Sequence, residues 1–140
     1  MKVKTIPQVI LPKPQEEKIT INLGCIDLGQ IELLVQEGFY ANRSDMIRTA
    51  IRNQLALHAD IVRQVVSRKT LVLGIQHYTA DDLRAVQAAG QTLQIRVLGL
   101  ATIAADVTPQ LALATIESLT ILGALHASPA VKAALAERIR

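Results

Sequence analysis

Residues 18–23 alternate without a break. Lys18, Thr20 and Asn22 fall on one side of a strand, Ile19, Ile21 and Leu23 on the other. The period then becomes helical. Leu28, Ile31, Leu34 and Val35 line one face of a helix over residues 27–37, with Asp27 as its cap and Gln30 completing a capping-box pattern. Gly38 is a natural stop. A second helix is predicted around Ser44 as N-cap, with Asp45 suited to the positive helix end. Its buried stripe is Met46, Ile47, Ala50, Ile51 and Leu55. That pattern either runs on through Ile61, Val62 and Val65 to about Arg68 or breaks near His58. Residues 1–17 show no such period. Pro7, Pro12 and Pro14 disfavour a helix there, and Lys2, Lys4 and Lys13 make the segment a flexible basic arm.

The strand at 18–23 raises a packing problem. A helix pattern rather than a turn and second strand follows Leu23, so a hairpin is excluded. Two short helices bury little on their own. The economical solution is the same strand from a second copy, paired antiparallel about a twofold axis, with four helices closing over the ribbon's apolar face.

Residues 70–140 carry a weak repeat. Val-Leu-Gly, Val-Leu-Gly and Ile-Leu-Gly end at Gly74, Gly99 and Gly123, spaced 25 and 24 residues apart. Apolar Val86, Leu111 and Leu135 each lie 12 residues after one of these glycines. Helix starts follow at Thr79, at Thr108-Pro109 and at Ser128-Pro129, and Gly90 would stop the first helix. Three strand–helix units of this period predict a small solenoid-like stack on a parallel sheet. Such a stack has open sheet edges and much aliphatic surface. It predicts self-association beyond the ribbon dimer, as a tetramer or a longer array.

Composition narrows the picture. Half of the chain is hydrophobic but only 2% is aromatic, so the core is built from Ile, Leu, Val and Ala. Base-stacking recognition of single strands, which needs exposed rings, is disfavoured. The charge of +3 is uneven. Residues 1–69 hold ten Lys and Arg against seven Asp and Glu, whereas residues 70–140 hold five of each. A basic half joined to a neutral, apolar half suggests an anion-binding module followed by an assembly module. Cys25 is the single cysteine, so no intrachain disulfide is possible. No signal peptide and no membrane-length apolar run is evident, which predicts a cytoplasmic protein. His58, His77 and His126 are scattered, and Cys25 has no Cys or His neighbour. No phosphate loop, dinucleotide turn or HExxH motif is present. No enzyme activity, metal or cofactor is expected.

Lys18 to Gly24, then an amphipathic helix, then Gly38-Phe39-Tyr40-Ala41-Asn42-Arg43-Ser44 with Ile47, Arg48, Ala50 and Ile51 together resemble the ribbon-helix-helix family of DNA-binding proteins, the MetJ/Arc/CopG type. The resemblance covers about residues 16–58. It implies a dimerising DNA-binding unit, which the helix pattern extends over 18–69; with the basic arm over 1–17 and the apolar strand–helix oligomerisation domain over 70–140, both read from the residues themselves, the chain is α+β.

The resemblance also implies that the paired ribbon enters the major groove of double-stranded DNA. Lys18, Thr20 and Asn22 would then face bases. Lys donates to guanine, Asn pairs bidentately with adenine, and Thr donates, accepts or touches a thymine methyl. Asn42, Arg43 and Ser44 would hold a phosphate at the start of the second helix, where backbone N–H groups are free. Arg48 and Arg52 share a face that reads as solvated. The function implied is a transcriptional repressor of a bacterium or phage, acting as a homodimer or higher oligomer. The alternatives are a self-assembling scaffold tethered to DNA and an antitoxin. An apolar, foldable second half counts against the antitoxin, whose tail is usually polar.

Overall fold

The computed structural model describes residues 16–140. The basic arm, with its prolines and lysines, lies outside them except for Glu16 and Glu17. Helix α1 spans Cys25–Gln36 with Gly24 at its N-cap and no side-chain cap. It starts two residues before the expected Asp27, because the Leu28 N–H already reaches the Gly24 carbonyl at 3.0 Å. Asp27 therefore sits inside the first turn, where a carboxylate suits the positive end. The helix stops as predicted at Gly38, whose φ is +83°. The Gly38 N–H bonds the Val35 carbonyl at 3.1 Å and the Phe39 N–H bonds that of Leu34 at 3.0 Å. This paired closure needs a left-handed residue, which glycine supplies without strain.

Helix α2 spans Arg43–Leu57 and helix α3 spans Ala59–Arg68. The break falls at His58, at φ −100° and ψ 7°, so the long helical pattern is two helices and not one. The His58 Nε2 lies 3.2 Å from the Gln54 side-chain amide. Ile31 of α1 is buried, and Leu28, Leu34, Val35, Met46 and Ile47 are half-buried. Ile51 and Leu55, expected in the buried stripe of α2, are exposed. Residues 18–23 form no strand within the chain. The hydrogen-bonded strands lie elsewhere, in one sheet whose edges this segment does not join.

That sheet is parallel, with β1 (Val72–Tyr78), β2 (Leu93–Ile103) and β3 (Ile116–His126) side by side in chain order. Each strand is followed by a helix: α4 (Ala80–Ala88), α5 (Pro109–Thr115) and α6 (Pro129–Leu135). The helix starts are those the sequence signals predict. Thr79, Thr108 and Ser128 each accept a backbone N–H from three residues on. At Thr79 the bond is reciprocated by Asp82, completing a capping box.

The core lies between the sheet and these helices. Leu83, Ile95, Val97, Ile116, Leu119, Val131 and Leu135 are all but inaccessible. The other sheet face presents Leu73, Ile75 and Leu122, in register rows with Leu98 and Leu100 of β2. A cavity of about 830 Å³ lies over this face, and Glu17 and Ile19 reach its rim.

The three repeat glycines are in register, Gly74 beside Gly99 beside Gly123. Their φ angles are +128°, +138° and +126°. A Cβ on Gly99 would stand 2.2 Å from the Gly74 carbonyl oxygen, and one on Gly123 would stand 2.0 Å from that of Gly99. Only glycine fits either place.

Candidate nucleic-acid interface

Lys18, Thr20 and Asn22 are exposed, on the segment that leads into α1. Their alternates are also uncovered: Ile19, Ile21 and Leu23 expose 81%, 57% and 41% of their surface. A single chain thus leaves both sides of this segment in water. The polar side gains by that and the apolar side loses.

The second group is contiguous at the start of α2. Asn42, not Ser44, is the N-cap. Its side-chain oxygen accepts the Asp45 N–H at 2.8 Å. Asp45 in turn accepts the Ala41 N–H at 3.0 Å, which locks the turn after Tyr40. Ser44 lies within the first helical turn, because Asn42 already has the extended backbone (φ −161°, ψ 176°) a cap requires. The N–H groups of Arg43 and Ser44 have no protein acceptor among the described residues. They lie at the positive end of a 15-residue helix, an arrangement that suits an anion.

The Arg43 guanidinium rests on Glu32 of α1 at 3.4 Å, with both side chains more than half exposed. So exposed a pair is worth little, and it yields readily to a phosphate. Arg48 and Arg52 are exposed and make no ion pair among the described residues. They flank Ile51 on the same helix, and their exposure agrees with the solvated reading of this face. No hydrogen bond or ion pair joins the group at 18–22 to the group at 42–44 among the described residues. One contact lacked any sequence signal: the Glu17 carboxylate lies 2.8 Å from His126 Nε2, at the far end of β3.

The pattern of the ribbon-helix-helix transcriptional regulator family matches residues 14–132. The chain belongs to that family. No curated protein and no solved structure matches it. Membership makes this ribbon-helix-helix protein a transcriptional regulator of a DNA-binding kind, and the family's role is regulatory rather than catalytic. The match also runs well past α3, so the parallel sheet belongs to the matched region as much as the helices do. Among the described residues, no group of three or more His, Cys, Asp or Glu side chains could hold a metal ion. No helix among them is long and apolar enough to cross a membrane.

Proposed function

We propose that this ribbon-helix-helix regulator is a sequence-specific repressor that binds double-stranded DNA as a homodimer, in the cytoplasm. Segments 18–23 of two chains pair antiparallel and enter the major groove. Lys18, Thr20 and Asn22 from each chain then face base edges, while Ile19, Ile21 and Leu23 turn onto the helices. Asn42, Arg43 and Ser44 seat the dimer on the backbone through the free N–H groups at the start of α2, which fixes register without reading sequence. The functional units are the basic arm over 1–17, the DNA-binding unit over 18–69 and the sheet over 70–140, which links dimers into higher oligomers.

One observation carries this reading. The C-terminal half has a core of its own, while among the described residues up to Arg68 one large side chain, Ile31, is buried and a whole apolar ribbon side is bare. A second copy is the natural cover for a self-complementary strand. A core over residues 70–140 also argues against the antitoxin reading, which needs a tail that orders on its partner.

Selection of bound DNA from a random pool at two salt concentrations tests the proposal. The expected result is a two-fold symmetric consensus that persists as salt rises, with Asn22→Ala costing about 1–3 kcal/mol on the selected site alone. Arg43→Ala weakens all sequences alike and lowers the salt slope by about one. Enrichment of no sequence would refute readout and favour the scaffold reading, to which the uncovered sheet face lends support.

A further inference from the structure

We infer that the sheet is unfinished at both edges and that the missing neighbour on each is the sheet of a second copy. The β3 edge of one chain seats on the β1 edge of the next, in parallel and head to tail. The inference rests on the self-association proposed for residues 70–140 and specifies how it occurs.

The column of glycines carries the argument. At Gly99 the space of a missing Cβ is filled by the carbonyl of Gly74, and at Gly123 by the carbonyl of Gly99. Each junction therefore consists of a glycine carbonyl on one strand and a bare glycine on the next. Gly74 has the same left-handed backbone, at φ +128°, yet nothing lies within 4 Å of where its Cβ would be. It is the receiving half of a junction whose giving half is absent. At the other edge Gly123 has a matching φ of +126°, and among the described residues no strand lies beyond β3 to receive its carbonyl. The two unfilled halves are those that already meet twice within the chain.

The lengths also agree. Counting from the glycines, Val72–His77 of β1 matches Ile121–His126 of β3 position for position. The C-terminal residues do touch the β3 edge, through a bridge from Ile139 to Leu119 and a 2.8 Å bond from the Arg140 N–H to the Leu119 carbonyl. Both contacts fall at Leu119, outside Ile121–His126; within that stretch Glu17 meets only the His126 side chain, and no further strand pairs with its backbone among the described residues. Open edges in proteins that stay apart carry charges or prolines. Neither Val72–Tyr78 nor Ile121–His126 contains a Lys, Arg, Asp, Glu or Pro. In the proposed register Leu122 of one chain lies beside Leu73 of the next, extending the leucine row of the open face.

A junction between two different edges is heterologous, so it adds further copies, in an open array or in a ring, rather than stopping at a pair. Two blocked variants test this in the full chain. Leu73→Lys places a charge on the β1 edge, and Leu122→Lys places one on the β3 edge. Both side chains are largely in water, exposed by 65% and 52%, so folding is little affected. By sedimentation, the unmodified chain is expected to grow beyond twice its chain mass as concentration rises. Each variant alone stays at twice the chain mass. An equimolar mixture of the two grows again, because each supplies the edge the other lacks.

Three results would overturn the inference: an unmodified chain that halts at twice its mass, a Leu122→Lys variant that assembles alone (like edges pairing), or a mixture that fails to grow. Loss of the ribbon is distinct, since blocked variants would then sediment at a single chain mass. As a second measurement, Leu73→Cys with Leu122→Cys, in a Cys25→Ser background, is expected to give a disulfide-linked ladder on oxidation. Absence of that ladder in a chain that assembles also overturns the head-to-tail register.

Discussion

Ile21 is the most direct handle on the ribbon. In the single chain it contacts no core, so its truncation leaves the intrinsic stability of one chain almost unchanged. Its effect is therefore read through association. The residue exposes 57% of its surface, and burying a whole isoleucine gains about 1.5–3 kcal/mol, so two copies together gain about 2–3 kcal/mol when the ribbon forms. The methyl that alanine keeps is offset by the small void it leaves. Ile21→Ala is thus expected to weaken dimerisation about 30- to 150-fold. Thr20→Ala, on the opposite side of the same strand, is the control and leaves dimerisation unchanged while reducing DNA affinity. Sedimentation equilibrium over a dilution series measures both, and the melting temperature of the variant should lie below the parent's at concentrations where the parent is dimeric. An Ile21→Ala dimer as tight as the parent, or an equal loss from Thr20→Ala, would refute the claim that one side of this segment faces a partner chain.

Three further outcomes follow from the geometry. Asn42→Ala removes the α2 cap and should cost about 1 kcal/mol in chemical denaturation, whereas Ser44→Ala, which caps nothing, should cost much less. Gly99→Ala drives a Cβ onto the Gly74 carbonyl and should destabilise the sheet by more than about 4 kcal/mol, read as loss of a cooperative melting transition. The Asp82 carboxyl is held below its ordinary range by the Thr79 N–H and then by the Thr79 hydroxyl. Its contribution is therefore full above the unfolded value and is lost as pH falls through the lowered folded one. Asp82→Asn should accordingly flatten the acid limb of the stability profile, measured by urea midpoints across that limb.

Much of this architecture is legible in the chain because its causes are local. The α1 face of Leu28, Ile31, Leu34 and Val35, the stop at Gly38, the caps at Thr79, Thr108 and Ser128, and the glycine spacing all depend on neighbours within a few residues or on a repeat. The misplaced caps at Asp27 and Ser44 are errors of three and two residues, against Gly24 and Asn42. In each, nearby residues of cap-forming type or conformation compete, and backbone angle decides.

What the sequence could not disclose is tertiary. Arg96 donates to the Lys69 carbonyl and the Thr70 hydroxyl at 3.1 and 3.2 Å, bracing a threonine at φ +52°. Arg138 bonds the carbonyls of Leu113 and Ile116, both at 2.6 Å. These arginines, like Glu17 on His126, act across separations for which no spacing rule exists. The candidate interface was legible as residue types in order, Lys18, Thr20 and Asn22 and then Asn42 to Ser44. Arg48 and Arg52 were legible as a solvated face, and both are exposed.

The aligned glycines have a consequence for how such a chain can change over time. Because every unit hands the next one the same backbone junction, a copy of one unit spliced in after β2 would find its place already shaped. The tally of units can then drift by duplication or loss while the segment proposed to meet the double helix, three helices upstream, is left undisturbed. Selection on what the regulator reads and selection on how far its sheet extends would act on separate stretches of the gene.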